Sequence, residues 1–118
     1  MNQLLIAAIC SSPALVLEPH GLLQDVKEAT CHPSLATSVD EPYRFLISHS
    51  SKTLCYSNNV LTAQGPGQAI LFSLSIIELL YSRQKALDIA EDLVFDYKPE
   101  LEEIPEGVNY WESSYHSS

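Results

Sequence analysis

The chain opens on an unbroken apolar run, Leu4-Leu5-Ile6-Ala7-Ala8-Ile9. Continuous apolarity over so short a stretch predicts a strand covered on both faces, as in a parallel sheet. The run ends at Cys10-Ser11-Ser12-Pro13. Serine is a good N-cap and proline suits the first helical position, so a helix should start here and run until Pro19 and Gly21 break it. Residues 27–32 form a short strand candidate, followed by a polar stretch whose Pro33 and Pro42 predict loop; residues 43–48 are a further strand candidate. Residues 52–56 and 60–64 flank Ser57-Asn58-Asn59, and because asparagine tolerates positive φ this reads as a tight hairpin. After the turn Gly65-Pro66-Gly67, a helix is predicted over about 68–81, with Ala69, Phe72, Ile76, Leu79 and Leu80 recurring at three- and four-residue spacing. Ser82 should cap a shorter helix containing Ala86, Ile89 and Ala90, and Leu93-Val94-Phe95 is the last apolar patch.

Composition bounds what such a chain can be. With 118 residues there is room for one domain, and a 46% hydrophobic fraction supports a buried core. The formal charge is −9, from 15 acids against 6 bases. That balance argues against a nucleic-acid partner, which needs a basic patch to displace phosphate counterions. Six of the acids lie in residues 96–118 beside a single base, Lys98. Residues 1–95 are therefore expected to be the globular part, and 96–118 an acidic, disordered tail that is either solubilising or a docking segment around Tyr110, Trp111 and Tyr115. The run at 4–9 lacks a basic flank and is too short for a signal peptide or a membrane span. Three cysteines make no disulfide scaffold, and with no CxxC pair there is no zinc signature. A soluble protein of a reducing compartment is expected, cytoplasmic, with nucleus or plastid open, and without cofactor or metal.

Cys10 is the sharpest candidate for chemistry. A residue between a buried strand and a helix start is thrust out of the sheet on a strained turn, the arrangement called a nucleophile elbow. Free amides at the helix start favour a thiolate over a thiol, and the Ser11 amide could donate to an oxyanion. The bland alternative is that Cys10 is a small buried hydrophobe. Cys31 and Cys55 read as packing residues, with Cys31 a resolving thiol if its loop comes near Cys10. His20 and His49 read as surface histidines.

Several blocks of the chain resemble the DJ-1/PfpI family, most closely its plant members. They are Leu5-Ile6-Ala7-Ala8-Ile9-Cys10-Ser11-Ser12-Pro13-Ala14-Leu15, then Leu17-Glu18-Pro19-His20-Gly21-Leu22-Leu23, then Thr62-Ala63-Gln64-Gly65-Pro66-Gly67 and Phe72-Ser73-Leu74-Ser75-Ile76-Ile77-Glu78. The resemblance covers roughly residues 3–95. It implies a flavodoxin-like α/β sandwich of the DJ-1/PfpI, class I glutamine amidotransferase-like kind, of which residues 1–95 would be the C-terminal part without the N-terminal strands and helices. It implies that Cys10 is the reactive cysteine and that His32, in Thr30-Cys31-His32-Pro33, takes the place of the family's active-site histidine, where neutral imidazole suits proton relay; the alternative for His32 is a loop residue without a role.

The activities implied are redox sensing through cysteine oxidation, and glutathione-independent glyoxalase or deglycase chemistry on reactive carbonyls such as methylglyoxal. Family members usually dimerise, so a homo- or heterodimer with DJ-1-like chains is expected. The glutamate that bonds the family's cysteine precedes the elbow, and residues 1–9 contain no acid. That leaves a competing reading: a non-catalytic, truncated paralogue or splice product that binds full-length relatives.

Overall fold

The computed structural model describes residues 4–36 and 52–101. The strand candidate at 43–48, His49 and the aromatic tail residues lie outside them. Three strands form one sheet: β1 (Ile6–Ile9), β2 (Leu54–Ser57) and β3 (Val60–Ala63), in the order β1-β3-β2. β1 runs parallel to β3, with Ile6 opposite Val60 and Ile9 opposite Ala63, while β2 and β3 form the predicted hairpin. Asn58 and Asn59 take φ of 47° and 70°, the left-handed pair that a two-residue turn needs if it is to match the twist of its strands. Asn58 Nδ2 also donates to the Asp25 carbonyl, tying the turn to the loop before residue 27.

Alternation along the strands divides the core. Ile6, Ala8 and Val60 face Ala14, Leu17, Leu23, Val26, Ala29 and Cys31 on one side. Leu5, Ile9, Leu61 and Ala63 face the helix α2 (Ala69–Leu80) on the other. Helix α3 (Arg83–Asp92) packs on the outer side of α2 through Leu74, Ala86, Ala90 and Tyr97. The architecture is a mixed α/β layering with helical segments on both faces of the sheet, as the flavodoxin-like expectation required. Ser82 caps α3 as predicted, its hydroxyl accepting from the Lys85 amide at 3.0 Å.

Three local expectations are revised. Ser12 is already helical and its side chain makes no cap; the Ser11 carbonyl instead accepts from Leu15 at 2.9 Å. The next segment, Pro13–Leu17, is a wide π-helical turn closed by Glu18 N–H on the Pro13 carbonyl at 3.1 Å. Pro19 has no N–H and would crowd the carbonyl four residues back in a regular helix, so a wider turn suits it. Gly21, at φ 73°, ends the turn with a Schellman pair: its N–H bonds Glu18 and that of Leu22 bonds Leu17. Residues 27–32 run extended with one bridge residue, Ala29; two of their amides are taken by side chains of the hairpin, Lys27 by Ser57 Oγ and Thr30 by the buried Thr62 Oγ1, each at 3.0 Å.

α2 is apolar nearly all round: Phe72, Ile76, Leu79 and Leu80 of the stripe read from spacing pack toward the sheet, and Leu74, Ser75 and Glu78 are buried besides. It lies between the sheet and α3, so both faces are covered and neither can be singled out by period. Glu78, 1% exposed, is satisfied by Arg83 at 2.9 and 3.2 Å and by the Tyr97 hydroxyl at 3.0 Å. Arg83 also donates to the Leu101 carbonyl at 2.9 Å. Tyr97 and Leu101 are buried, so the packed body reaches Leu101.

The end of α3 carries a strain that can be removed. Phe95 N–H bonds Ala90 and Val94 N–H bonds Glu91, a second Schellman pair, but Val94 sits where glycine is usual, at φ 55°. Its side chain is 93% exposed and contributes little packing. Left-handed backbone costs an L-residue about 1–2 kcal/mol, so Val94→Gly should stabilise the chain by about 1 kcal/mol in urea denaturation. An unchanged or lowered midpoint would show that Val94 is not strained or that its side chain makes contacts that matter.

Candidate functional site

Cys10 comes directly after β1 and takes φ 67°, a left-handed conformation unusual for any residue but glycine and asparagine. Two backbone hydrogen bonds hold it there. Its N–H donates to the Ala63 carbonyl at the end of β3 at 3.0 Å, and its carbonyl accepts from the His32 N–H at 2.7 Å. The chain then turns into the π-helical segment, so the side chain stands at the strand-to-helix corner, partly exposed. The elbow geometry anticipated from residues 4–17 is present. Among the described residues no group accepts the Ser11 amide or bonds the Cys10 thiol.

His32 reaches this corner through its backbone, and its ring is oriented by Ser34. The Ser34 N–H donates to His32 Nδ1 at 3.2 Å, and Ser34 Oγ lies 2.8 Å from the same nitrogen, at the start of the single helical turn α1 (Pro33–Ala36). A nitrogen that accepts a backbone N–H carries no proton in neutral imidazole, so the proton is on Nε2. The ring also lies beside the turn after β3: a Cβ built on Gly65 would stand 3.9 Å from His32 Cδ2. That turn is closed by Gln68 Oε1, which accepts the Gly65 N–H at 2.9 Å. Cys10 and Ser11 are thus met by His32, far from them along the chain, at the carboxyl ends of β1 and β3.

Cys31 is the residue that sequence reading placed least firmly. It is fully buried beneath the elbow turn, among Ala14, Leu17 and Ala8. Burial first, then the charges of Glu18 and of an ionised Cys10, push its thiol up to about 11. Cys55 lies elsewhere, on β2, with its thiol 3.6 Å from Glu28 Oε1. The signal for Cys31 was its place next to His32, but only the hydrogen bond between residues 32 and 10 turns that adjacency into proximity to Cys10. Among the described residues no cluster of three or more His, Cys, Asp or Glu could hold a metal, and no helix is long and apolar enough to cross a membrane.

An α/β layer that presents a cysteine on a strained strand-to-helix corner, with a histidine beside it, defines the class of elbow-cysteine proteins. The DJ-1/PfpI family model matches residues 2–79. DJ-1 homolog B of Arabidopsis thaliana is 39% identical over 84 residues, covering 71% of this chain and 18% of that protein. The Caenorhabditis elegans protein named glutathione-independent glyoxalase DJR-1.2 is 32% identical over 90 residues, 75% of this chain and 45% of its own. The solved structure of oxidized Toxoplasma gondii DJ-1 aligns with a TM-score of 0.66 at 42% identity, covering 79% of this chain and 47% of that one. The chain belongs to the DJ-1/PfpI family and spans half or less of the length of these relatives.

The protonation of Cys31 has a consequence for stability. A thiol whose pKa rises from 9.0 to about 11 on folding contributes stability that is fully present below pH 9 and lost as pH climbs toward 11. The denaturation midpoint of the wild-type chain should therefore fall more steeply between pH 9 and 10 than that of Cys31→Ser, which has nothing to ionise there. Tyr97, held up to about 12 chiefly by burial, acts in the higher window and is common to both chains. Parallel curves for the two chains would show that Cys31 is not held protonated.

Proposed function

We propose that this chain is a thiol-based sensor of oxidants centred on Cys10, with little turnover of carbonyl substrates on its own. The observation that carries the reading is the left-handed Cys10 pinned between Ala63 and His32, a partly exposed residue at the corner of the sheet. Oxidation asks only for a reachable thiolate, and the first product is a sulfenic acid. Relatives support both halves of the family's chemistry: one is named a glyoxalase, and another is titled as oxidized DJ-1.

In a glyoxalase cycle, Cys10 would add as a thiolate to the aldehyde carbon of methylglyoxal, and the Ser11 amide would face the oxyanion that forms. His32 would carry a proton between the two substrate carbons, and water would then release lactate and the free thiol. What favours sensing over turnover is that, among the described residues, no carboxylate bonds the Cys10 thiol. The purified chain should consume methylglyoxal no faster than Cys10→Ser, while hydrogen peroxide oxidises Cys10 ahead of Cys31 and Cys55 in mass-spectrometric peptide mapping. Sustained consumption that disappears in Cys10→Ser would replace sensing by catalysis.

A second reading, a binding partner for DJ-1-like chains, is favoured by the edge of the sheet. β1 pairs only with β3 among the described residues, and Ile6 and Cys10 direct their N–H groups toward that strand's side. Leu5, Ala7 and Ile9 therefore turn their N–H and C=O groups to the opposite edge. An apolar edge strand is a template for another chain. Sedimentation should show a concentration-dependent dimer that Ala7→Pro weakens, since proline there removes an edge donor without touching the β1–β3 ladder. A chain that stays monomeric at high micromolar concentration would rule out pairing with itself.

A further inference from the structure

The geometry points to an internal dithiol switch: Cys31 resolves the sulfenic acid of Cys10 to a Cys10–Cys31 disulfide. The inference rests on Cys10 being the oxidised thiol and adds where that oxidation stops. The His32 N–H bonds the Cys10 carbonyl at 2.7 Å, and that amide nitrogen is covalently joined to the carbonyl carbon of Cys31. Standard peptide dimensions on either side of the bond hold the two α-carbons within about 7.5 Å. Disulfides span about 4.4–6.8 Å between α-carbons, a range that lies within this bound. Cys31 packs with Ala8 and Ala14 on one side of the sheet, and Cys10 stands directly beyond the end of β1 at the corner that the His32 N–H reaches.

The two sulfurs differ in the way a sensor and a resolver should. Cys10 is partly exposed and can meet an oxidant, whereas Cys31 is fully buried and cannot. With hydrogen peroxide, the Cys10 thiolate attacks one peroxide oxygen and the O–O bond breaks. Hydroxide leaves, and Cys10 becomes a sulfenic acid as the peroxide is reduced. Cys31 then gives up its proton and attacks the Cys10 sulfur. The S–S bond forms, the S–O bond breaks, and the departing hydroxide takes that proton to leave as water.

Order is built into the charges. A thiolate at Cys10 helps to hold the proton on Cys31, as does Glu18. Conversion of Cys10 to a neutral sulfenic acid removes one of these two charges, so Cys31 becomes easier to ionise only after Cys10 has reacted. Cys55, on β2 beside Glu28, is placed to take no part.

The test is brief treatment of the reduced chain with hydrogen peroxide, alkylation of remaining thiols, and non-reducing peptide mapping. The wild-type chain should give a Cys10–Cys31 cross-linked peptide that dithiothreitol reverses, with Cys55 still alkylated. In Cys31→Ser, Cys10 should instead accumulate sulfinic acid, several-fold above the wild-type yield. Cys31→Ala serves if the serine variant does not fold. Equal sulfinic yields in wild type and variant, or a bridge to Cys55, would overturn the switch and leave Cys10 sensing intact. A Cys10 that stays a free thiol in every chain would overturn both.

Discussion

The site depends on two backbone hydrogen bonds made by one residue. Cys10 donates to Ala63 and accepts from His32, and in doing so joins segments that are far apart along the chain. Its left-handed conformation costs about 1–2 kcal/mol. Each bond returns about 0.5–1.5 kcal/mol net, so the two together roughly offset the strain. The corner is therefore conditional on the parallel pairing of β1 with β3, which delivers the Ala63 carbonyl, and on residues 27–32 lying flat across the hairpin through Thr62 and Ser57. Anything that loosens the ladder releases the corner, and with it the proximity of His32 and Cys31 to the sulfur.

The far side of the sheet is held by a different device. α2 is buried between β3 and α3 and carries a glutamate into that interior, where Arg83 and Tyr97 satisfy it. Removing one partner of a buried ion pair commonly costs about 3–5 kcal/mol, while the intact pair adds little over a well-packed apolar replacement. Arg83 is half exposed, so solvent moderates that cost here. The network therefore does more to choose the arrangement than to strengthen it. Arg83 bonds the Leu101 carbonyl as well as Glu78, and so sets the path by which residues after Phe95 return over α2 to bury Tyr97 and Leu101.

Much of this could be read from the chain alone, and the misses share a cause. The strand at 4–9, the Asn58-Asn59 hairpin and the Ser82 cap are local, each decided by residues within a few positions. The elbow was legible because an apolar run stops abruptly at Cys10-Ser11-Ser12-Pro13, although the wide π-helical turn was not, since Pro19 acts from beyond the predicted helix. The path of 27–32 runs extended with a single bridge residue rather than as a regular strand, and two of its hydrogen bonds go to side chains of the hairpin 30 or so residues away. Glu78 gave no signal of its own: a glutamate in an apolar helix looks like a solvent-facing position until Arg83 and Tyr97 are seen around it. Cys31 is the same kind of case, ordinary in sequence and informative only once residue 32 is bonded to residue 10.

These constraints bear unequally on the chemistry of the family. Proton transfer within a bound carbonyl needs several groups held around one substrate, and this chain supplies a thiol, an amide and a histidine from one side of the corner. Oxidation and disulfide closure need only two sulfurs, Cys10 and Cys31, held near one another by the bond between residues 10 and 32. The His32 amide does more in that setting than the His32 ring, because it is the amide that fixes the distance between Cys10 and Cys31. A substitution of the histidine side chain would remove the proposed proton relay and leave that bond in place, whereas loss of the β1–β3 ladder would remove both. The two proposed chemistries, carbonyl turnover and the thiol switch, thus share a cysteine but separate at His32, so each would answer differently to change within a single small site.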